Sequence, residues 1–247
     1  MTYCVGMLMD AGLVFLSDTR TNAGVDQINS FRKMQVFERP GDRVMVLLSA
    51  GNLAVTQAVV TRLEERLALA GENLMTVANL LEGARHVGDC VREIYRRDAE
   101  GLRAFGIDFN VNLLFGGQVW GEQPRLFNVY AAGNFVEATP DTPYFQIGES
   151  KYGKPILDRI FRWQSSLEDA AKCALISMDS TLKSNLSVGL PLDLACYARD
   201  SHRLDSRTRI EAENPYFQAL RTAWGERIQQ AFADLPALDC GLGRPGP

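Results

Sequence analysis

Histidine is nearly missing from this chain: His86 and His202 are the only two in 247 residues. Neither stands near an obvious nucleophile, so a Ser-His-Asp or Cys-His apparatus has almost nothing to draw on. Both are read as surface or helix-flank residues. GxSxG, Walker A and GxGxxG patterns are absent as well. The five cysteines, Cys4, Cys90, Cys173, Cys196 and Cys240, are odd in number and never at CxxC spacing. They make neither a disulfide framework nor a zinc site. No metal and no cofactor is expected.

Long apolar runs and an excess of positive charge are lacking too. No segment approaches the ~18 apolar residues that cross a bilayer. Met1–Asp10 has no basic start of the kind a signal peptide shows. A cytoplasmic protein with no membrane partner is expected. Lys and Arg total 26 against 30 Asp and Glu, a net charge of -4, and phosphate-backbone binding needs a basic face. No nucleic-acid partner is expected either.

What is present suits a well-packed globular chain: 46% hydrophobic and 23% charged residues. Tyr3–Met9 and Leu13–Ser17 are apolar runs around the turn Asp10-Ala11-Gly12, and Phe31–Glu38 and Arg43–Ser49 repeat the design around Pro40-Gly41-Asp42. Thr19–Ser30 between them reads as a polar loop. Leu53–Ala70 sets Val59, Val60, Leu63 and Leu67 on one stripe at helical spacing, and Met75–Ala99 has a similar period. Strand patterns follow at Ile107–Phe115, Arg125–Ala131 and Asn134–Thr139. Helices are expected at Lys154–Trp163 and Leu167–Leu182, then strands at Leu192–Arg199 and Thr208–Glu213, then a helix from Tyr216 to Ala233. Hairpin-linked strands with helices in pairs call for two antiparallel sheets, stacked and covered on both outer sides. The expected fold is therefore α+β, a four-layer αββα sandwich over residues 1–234. Leu235–Pro247 is expected to be a flexible tail.

With the usual catalytic motifs missing, the N-terminus itself is left. Thr2 has a small side chain, so Met1 is expected to be removed, leaving a free α-amine beside a hydroxyl. A threonine hydroxyl is a poor nucleophile until a base takes its proton. An α-amine with a pKa of about 8 can be that base. It needs a cation to tune it and a carboxylate to hold the cation; Lys33 and Asp18 are the candidates. By itself this argument is weak, because Met-Thr begins many proteins and lone Asp and Lys residues are usually solvated.

Four ordered segments strengthen it: Thr2-Tyr-Cys-Val-Gly6, Gly12-Leu-Val-Phe-Leu-Ser-Asp18-Thr-Arg20-Thr-Asn-Ala-Gly24, Arg32-Lys33-Met34 and Ser49-Ala-Gly51. Together they resemble the proteasome β-subunit family of N-terminal-nucleophile hydrolases, and most of all its ancestral bacterial branch. The resemblance implies the same four-layer sandwich and a threonine-type endopeptidase. It implies Thr2 as nucleophile, Lys33 tuning the proton affinity around it, Asp18 orienting Lys33, and Gly51 offering its N–H to the oxyanion. Arg20 would brace the loop beside Asp18. Thr21 and Asn22 would pair with the substrate strand, and Ser49 would line the pocket for the residue before the scissile bond.

Two segments depart from the family pattern. Where the family has Gly-Ser-Gly, this chain has Gly148-Glu149-Ser150; either Glu149 replaces the serine or Ser150 serves with a shifted backbone. Where the family has Asp-x-x-Ser-Gly-Gly, it has Ser184-Asn185-Leu186-Ser187-Val188-Gly189, and Asp179 could stand in for the aspartate only through an insertion. Ser150 and Ser187 are the candidates for the supporting catalytic serines. The implied partners are a peptide or unfolded-protein substrate and further copies of the chain, in a ring or an open helical oligomer. Whether an ATP-dependent unfoldase feeds it is open at this level. The alternatives are an amidase or acyl transferase for a small amide, and a weakly active scaffolding assembly of the same fold.

Overall fold

Arg43–Gly51 is apolar along nearly its whole length because both of its faces are buried. Val44, Val46, Leu48 and Ala50 point into one hydrophobic cluster, and Met45 and Leu47 into another. This is what a strand in the middle of a layered sandwich requires, and the architecture follows from it. The computed structural model describes residues 2–23, 27–204 and 206–238, with backbone alone at 22, 23, 27 and 28. The chain divides into two compact units, Met1–Ala212 and Glu213–Pro247.

In the first unit the strands are β1 (Tyr3–Met9), β2 (Gly12–Asp18), β3 (Arg20–Ala23), β4 (Gln27–Ser30), β5 (Met34–Arg39) and β6 (Arg43–Gly51). Helices α1 (Leu53–Leu67) and α2 (Leu80–Ala104) come next, then β7 (Val111–Val119), β8 (Arg125–Val129), β9 (Phe135–Glu137) and β10 (Tyr144–Gly148). The unit closes with α3 (Lys154–Ile160), α4 (Leu167–Ser184), β11 (Leu192–Ala198) and β12 (Ser206–Ile210). One five-stranded antiparallel sheet runs β10-β1-β2-β11-β12 and the other β5-β6-β7-β8-β9. Their facing sides meet in a core that includes Phe15, Val46, Leu114, Leu126 and Tyr197. α1 and α2 cover the outer face of the second sheet through Val59, Leu63, Ala84, Val87 and Val91. α4 lies on the first sheet, against β2, β11 and β1. The expected αββα sandwich is the fold observed.

The second unit holds one helix, α5 (Pro215–Ala233). It starts with proline at its first position and Asn214 as cap, the Asn214 side chain accepting from Phe217 N at 2.9 Å. Residues 239–247, most of the expected tail, lie outside the described residues.

Several local expectations are corrected. The polar stretch expected as a loop holds two paired antiparallel strands, Arg20–Ala23 and Gln27–Ser30, with Arg20↔Ser30 and Thr21↔Asn29 in register. Its base is fixed by Ser30 Oγ donating to Thr19 Oγ1 at 3.0 Å and Thr19 Oγ1 donating to the Pro191 carbonyl at 2.7 Å. The strand Tyr144–Gly148 was not expected; it is an edge strand, half-buried over most of its length, so it carries no continuous apolar signal. α2 begins at Leu80 rather than Met75, because Asn79 caps it by accepting from Glu82 N. Asn73 instead builds a turn with Thr76 and Met75. Both histidines are buried rather than at the surface: His86 lies in α2, and His202 sits at φ 46° with its ring 5.0 Å from that of Trp120.

Candidate active site

The ends of β1, β2 and β6 meet at one edge of the sandwich, and the start of α1 follows directly from β6. Thr2, half-buried, immediately precedes β1. Its carbonyl accepts from Glu149 N at 2.7 Å, which extends the β1–β10 ladder one step beyond the Tyr3↔Gly148 pair. Gly148 sits at φ 81°, and a Cβ there would lie 1.9 Å from the Thr2 carbonyl oxygen. Only glycine lets β10 come this close to residue 2.

Asp18 ends β2 and is fully buried. Its Oδ1 accepts from Lys33 Nζ at 2.7 Å and from Tyr3 N at 3.1 Å, and its Oδ2 from Gly189 N at 3.4 Å. Burial pushes the Asp18 carboxyl above the usual carboxylate range, and the Lys33 ammonium opposes that shift. Lys33 Nζ also donates to the Arg20 carbonyl at 2.7 Å. An ammonium has three donors, so one remains while two hold the side chain still. Arg20 donates from Nη1 to the Leu186 carbonyl at 2.8 Å and packs its guanidinium against Gly189, where a Cβ would lie 2.1 Å from Arg20 Nε. The β3–β4 strand pair and the 185–191 segment are thereby tied together around Asp18.

Gly51 is the last residue of β6, at φ 123°. The next residue, Asn52, donates its N–H to the Asn110 carbonyl at 2.8 Å and caps α1, its side chain accepting from Ala54 N and Val55 N. A Cβ on Gly51 would lie 2.3 Å from the Asn110 oxygen. The glycine is therefore required by the neighbouring strand's backbone, quite apart from any substrate.

An open cavity of about 730 Å³ joins these parts. Thr2, Thr21, Lys33, Ser49 and Gly51 line it, with Asp18 behind Lys33. Gln35 and a stripe of α1 (Thr56, Gln57, Thr61 and Glu64) make one wall polar. Sequence reasoning missed these residues, although their i, i+1, i+5, i+8 spacing marks one helix face. Phe31, which the sequence places at the start of an apolar strand run, is 36% exposed and lines the cavity too. Asn22 lies in β3 opposite Ile28, and its side chain is outside the described residues, as is Met1.

Ser150 and Ser187 do not line this cavity. The Ser150 carbonyl accepts from Lys154 N ahead of α3, and Ser187 N donates to Asn185 Oδ1 at 2.9 Å. Between them stands a pair unnoticed in the sequence: Asn185 Nδ2 donates to Glu149 Oε2 at 3.2 Å, and both side chains are buried. Asp179 is buried in α4, 3.7 Å from Lys183 Nζ. Among the described residues, no three His, Cys, Asp or Glu side chains come together as a metal site.

Residues 2–195 match the family model described as proteasome subunit. The chain belongs to the proteasome subunit family. Among solved structures this family member is similar to Anbu (ancestral beta-subunit) from Yersinia bercovieri, with 55% identity, TM-score 0.91, and 98% of this chain and 100% of that one covered. Anbu from Hyphomicrobium sp. strain MC1 is 51% identical with TM-score 0.88, over 96% of this chain and 100% of its own. The helical assembly of the Anbu complex from Pseudomonas aeruginosa gives 45% identity and TM-score 0.94, over 98% and 100% of the two chains. Comparison with curated proteins gives no match. The ancestral bacterial branch suggested by the four N-terminal segments is thus also the one to which these structures belong.

Proposed function

We propose that this chain is a threonine-type endopeptidase subunit that cleaves peptide bonds with Thr2 after loss of Met1. The observation that carries the reading is the buried Asp18–Lys33 pair opening into the same cavity as Thr2 and Gly51. In this reaction the α-amine takes the proton of Thr2 Oγ1 as the oxygen attacks the scissile carbonyl. The Oγ1–C bond forms, the C–N bond breaks, and the same proton passes to the leaving amine. Water then attacks the ester, and Thr2 is regenerated. Lys33 contributes a fixed positive charge near the developing alkoxide, at no cost of reorganisation because Asp18 and the Arg20 carbonyl already hold it. The Gly51 N–H is assigned to the oxyanion. Thr21 and the Asn22 backbone pair with the substrate chain, and Ser49 contacts the side chain before the scissile bond.

Ser150 and Ser187 are assigned supporting roles at most, through the backbone segments that hold residue 2 and Asp18. Self-association is part of the proposal; its support is the Pseudomonas aeruginosa relative, which is described as a helical assembly. A cytoplasmic location accords with the described residues, among which no helix is long and apolar enough to cross a membrane.

The test is incubation with a peptide epoxyketone or β-lactone, followed by intact mass and adduct mapping. The expected result is protein lacking Met1 with one adduct on Thr2, and no adduct on an assembled Thr2→Ala variant. Met1 retained in most of the purified protein, or unchanged labelling of Thr2→Ala, overturns the proposal. Digestion of a peptide library against a panel of small amides then separates endopeptidase from amidase.

A further inference from the structure

Glu149 is 8% exposed, and its carboxylate has one side-chain partner among the described residues, the neutral amide of Asn185. No cation pairs with it among those residues. A buried carboxylate with a single neutral partner is costly, and its site calls for a positive charge. The backbone indicates which one. Glu149 N donates to the Thr2 carbonyl at 2.7 Å, next after the Tyr3↔Gly148 pair, so Glu149 stands opposite Thr2 in the ladder. Residues opposed in this way have Cβ atoms roughly 5 Å apart, a gap that a glutamate side chain spans. Asn185, which holds the carboxylate, opens the segment that returns at Gly189 to donate to Asp18. One short segment therefore fixes a carboxylate on each side of residue 2.

We propose that the Glu149 carboxylate is the counter-ion of the Thr2 α-ammonium, holding the amine in place and raising its pKa. The inference rests on the part of the proposed function in which Met1 is lost and Thr2 carries the free α-amine. Glu149 is a positioning residue, acting through the amine rather than on the scissile bond. The other charges around residue 2 are accounted for separately. Asp18 is matched by Lys33, Asp179 lies 3.7 Å from Lys183 on α4, and the cavity is lined by Arg20 and Arg32 as cations and by Glu64 of α1 as an acid. Lys151 is exposed beyond the end of β10. Lys33, Arg20 and Arg32 favour the neutral amine, and Glu149 favours the ammonium. Since attack needs the neutral amine, Glu149 restrains the nucleophile at neutral pH and releases it as pH rises.

The experiment measures the amine directly. Protein beginning at Thr2, from natural processing or a cleaved ubiquitin fusion, is acylated with trace acetic anhydride from pH 5 to pH 10. The N-terminal peptide is then quantified by mass spectrometry. Glu149→Gln keeps the shape and can still accept from Asn185. It is expected to lower the amine pKa by about 1 unit or more, with about tenfold more free amine on the acid side. Should Glu149→Gln fail to fold, Glu149→Asp, which keeps the charge at shorter reach, is expected to give a smaller fall. An amine pKa equal to that of the native chain in the folded variant overturns the proposal, since a purely structural Glu149 would not move it. Epoxyketone labelling of the native chain separates the two readings. An adduct on Thr2 with no pKa shift sinks this inference alone. A Glu149-dependent pKa with no adduct sinks the hydrolase reading and leaves the counter-ion assignment standing.

Discussion

Replacing Lys33 by methionine keeps the length and apolar stem of the side chain and removes its charge. The Asp18 carboxylate, fully buried and 2.7 Å from Nζ in the native chain, then has only the backbone N–H groups of Tyr3 and Gly189. Breaking a buried pair by removing one partner costs about 3–5 kcal/mol. For a unit of this size that corresponds to a fall in Tm of about 6–20 °C. The cost has a pH signature. Burial already pushes Asp18 upward, and losing the ammonium pushes it further above its unfolded value. A carboxyl whose folded pKa is raised favours the folded state when protonated. The penalty is therefore larger at pH 7.5 than at pH 5, and it shrinks as pH falls from the folded pKa toward the unfolded one. The assay is urea unfolding at fixed protein concentration, at pH 7.5 and pH 5, for native, Lys33→Met, Asp18→Asn and the double variant. The double variant should be more stable than the sum of the singles requires, by about 2 kcal/mol or more. A loss under about 1 kcal/mol for Lys33→Met at pH 7.5, with no recovery at pH 5, would refute the view that this pair is a buried, mutually dependent unit.

Other changes follow from the same geometry. Gly148→Ala places a methyl group 1.9 Å from the Thr2 oxygen, so residue 2 must move; epoxyketone labelling should fall about 100-fold. Gly41→Ala is the control, because Gly41 has a similar φ of 82° with nothing within 4 Å. It should cost about 1–2 kcal/mol of stability and leave labelling intact; equal effects from the two would undo the argument. Burial pushes the thiols of Cys90, Cys173 and Cys196 up to about 11, leaving roughly 0.1% thiolate at pH 8. Iodoacetamide should modify these three far more slowly in native protein than in urea, as peptide mapping will show, and rapid native alkylation of any of them would contradict their burial.

The layers of the sandwich could be read from sequence because the central strands announce themselves. Val44 to Ala50 is apolar on both faces, and turns such as Pro40-Gly41-Asp42 mark where it doubles back. The grouping of Thr2, Asp18, Lys33 and Gly51 was equally legible as a candidate site, since they fall at or beside strand ends in a recognisable order. Polar edges were harder to read. Tyr144–Gly148, Arg20–Ala23 and Gln27–Ser30 form strands through backbone pairing, with little apolar patterning to signal it. Their positions depend on neighbours distant in sequence, such as β1 for one and Pro191 for the other. The same holds for Gln35, Gln57 and Phe31, whose place on the cavity wall is set by how α1 lies on the second sheet.

The second half of the site shows what a motif can conceal. Judged by the family pattern, Gly148-Glu149-Ser150 and Ser184–Gly189 look like eroded supports for a catalytic serine. The two segments nonetheless remain mechanically connected. Gly148 still brings β10 against residue 2, Gly189 still reaches Asp18, and Asn185 joins the segments by holding Glu149. Erosion would leave a buried polar group without a partner or a hole where a serine had stood. Here a carboxylate and an amide meet at hydrogen-bonding distance, and the backbone contacts on either side are intact. On the counter-ion proposal, that arrangement substitutes one support for another, a carboxylate held by an amide where the family pattern has a serine. A hydroxyl carries no charge, whereas a carboxylate beside an amine biases it toward its protonated form. Slow cleavage at neutral pH would then be a property of the site itself, and the pH at which Thr2 becomes reactive is the quantity that distinguishes a restrained enzyme from a lapsed one.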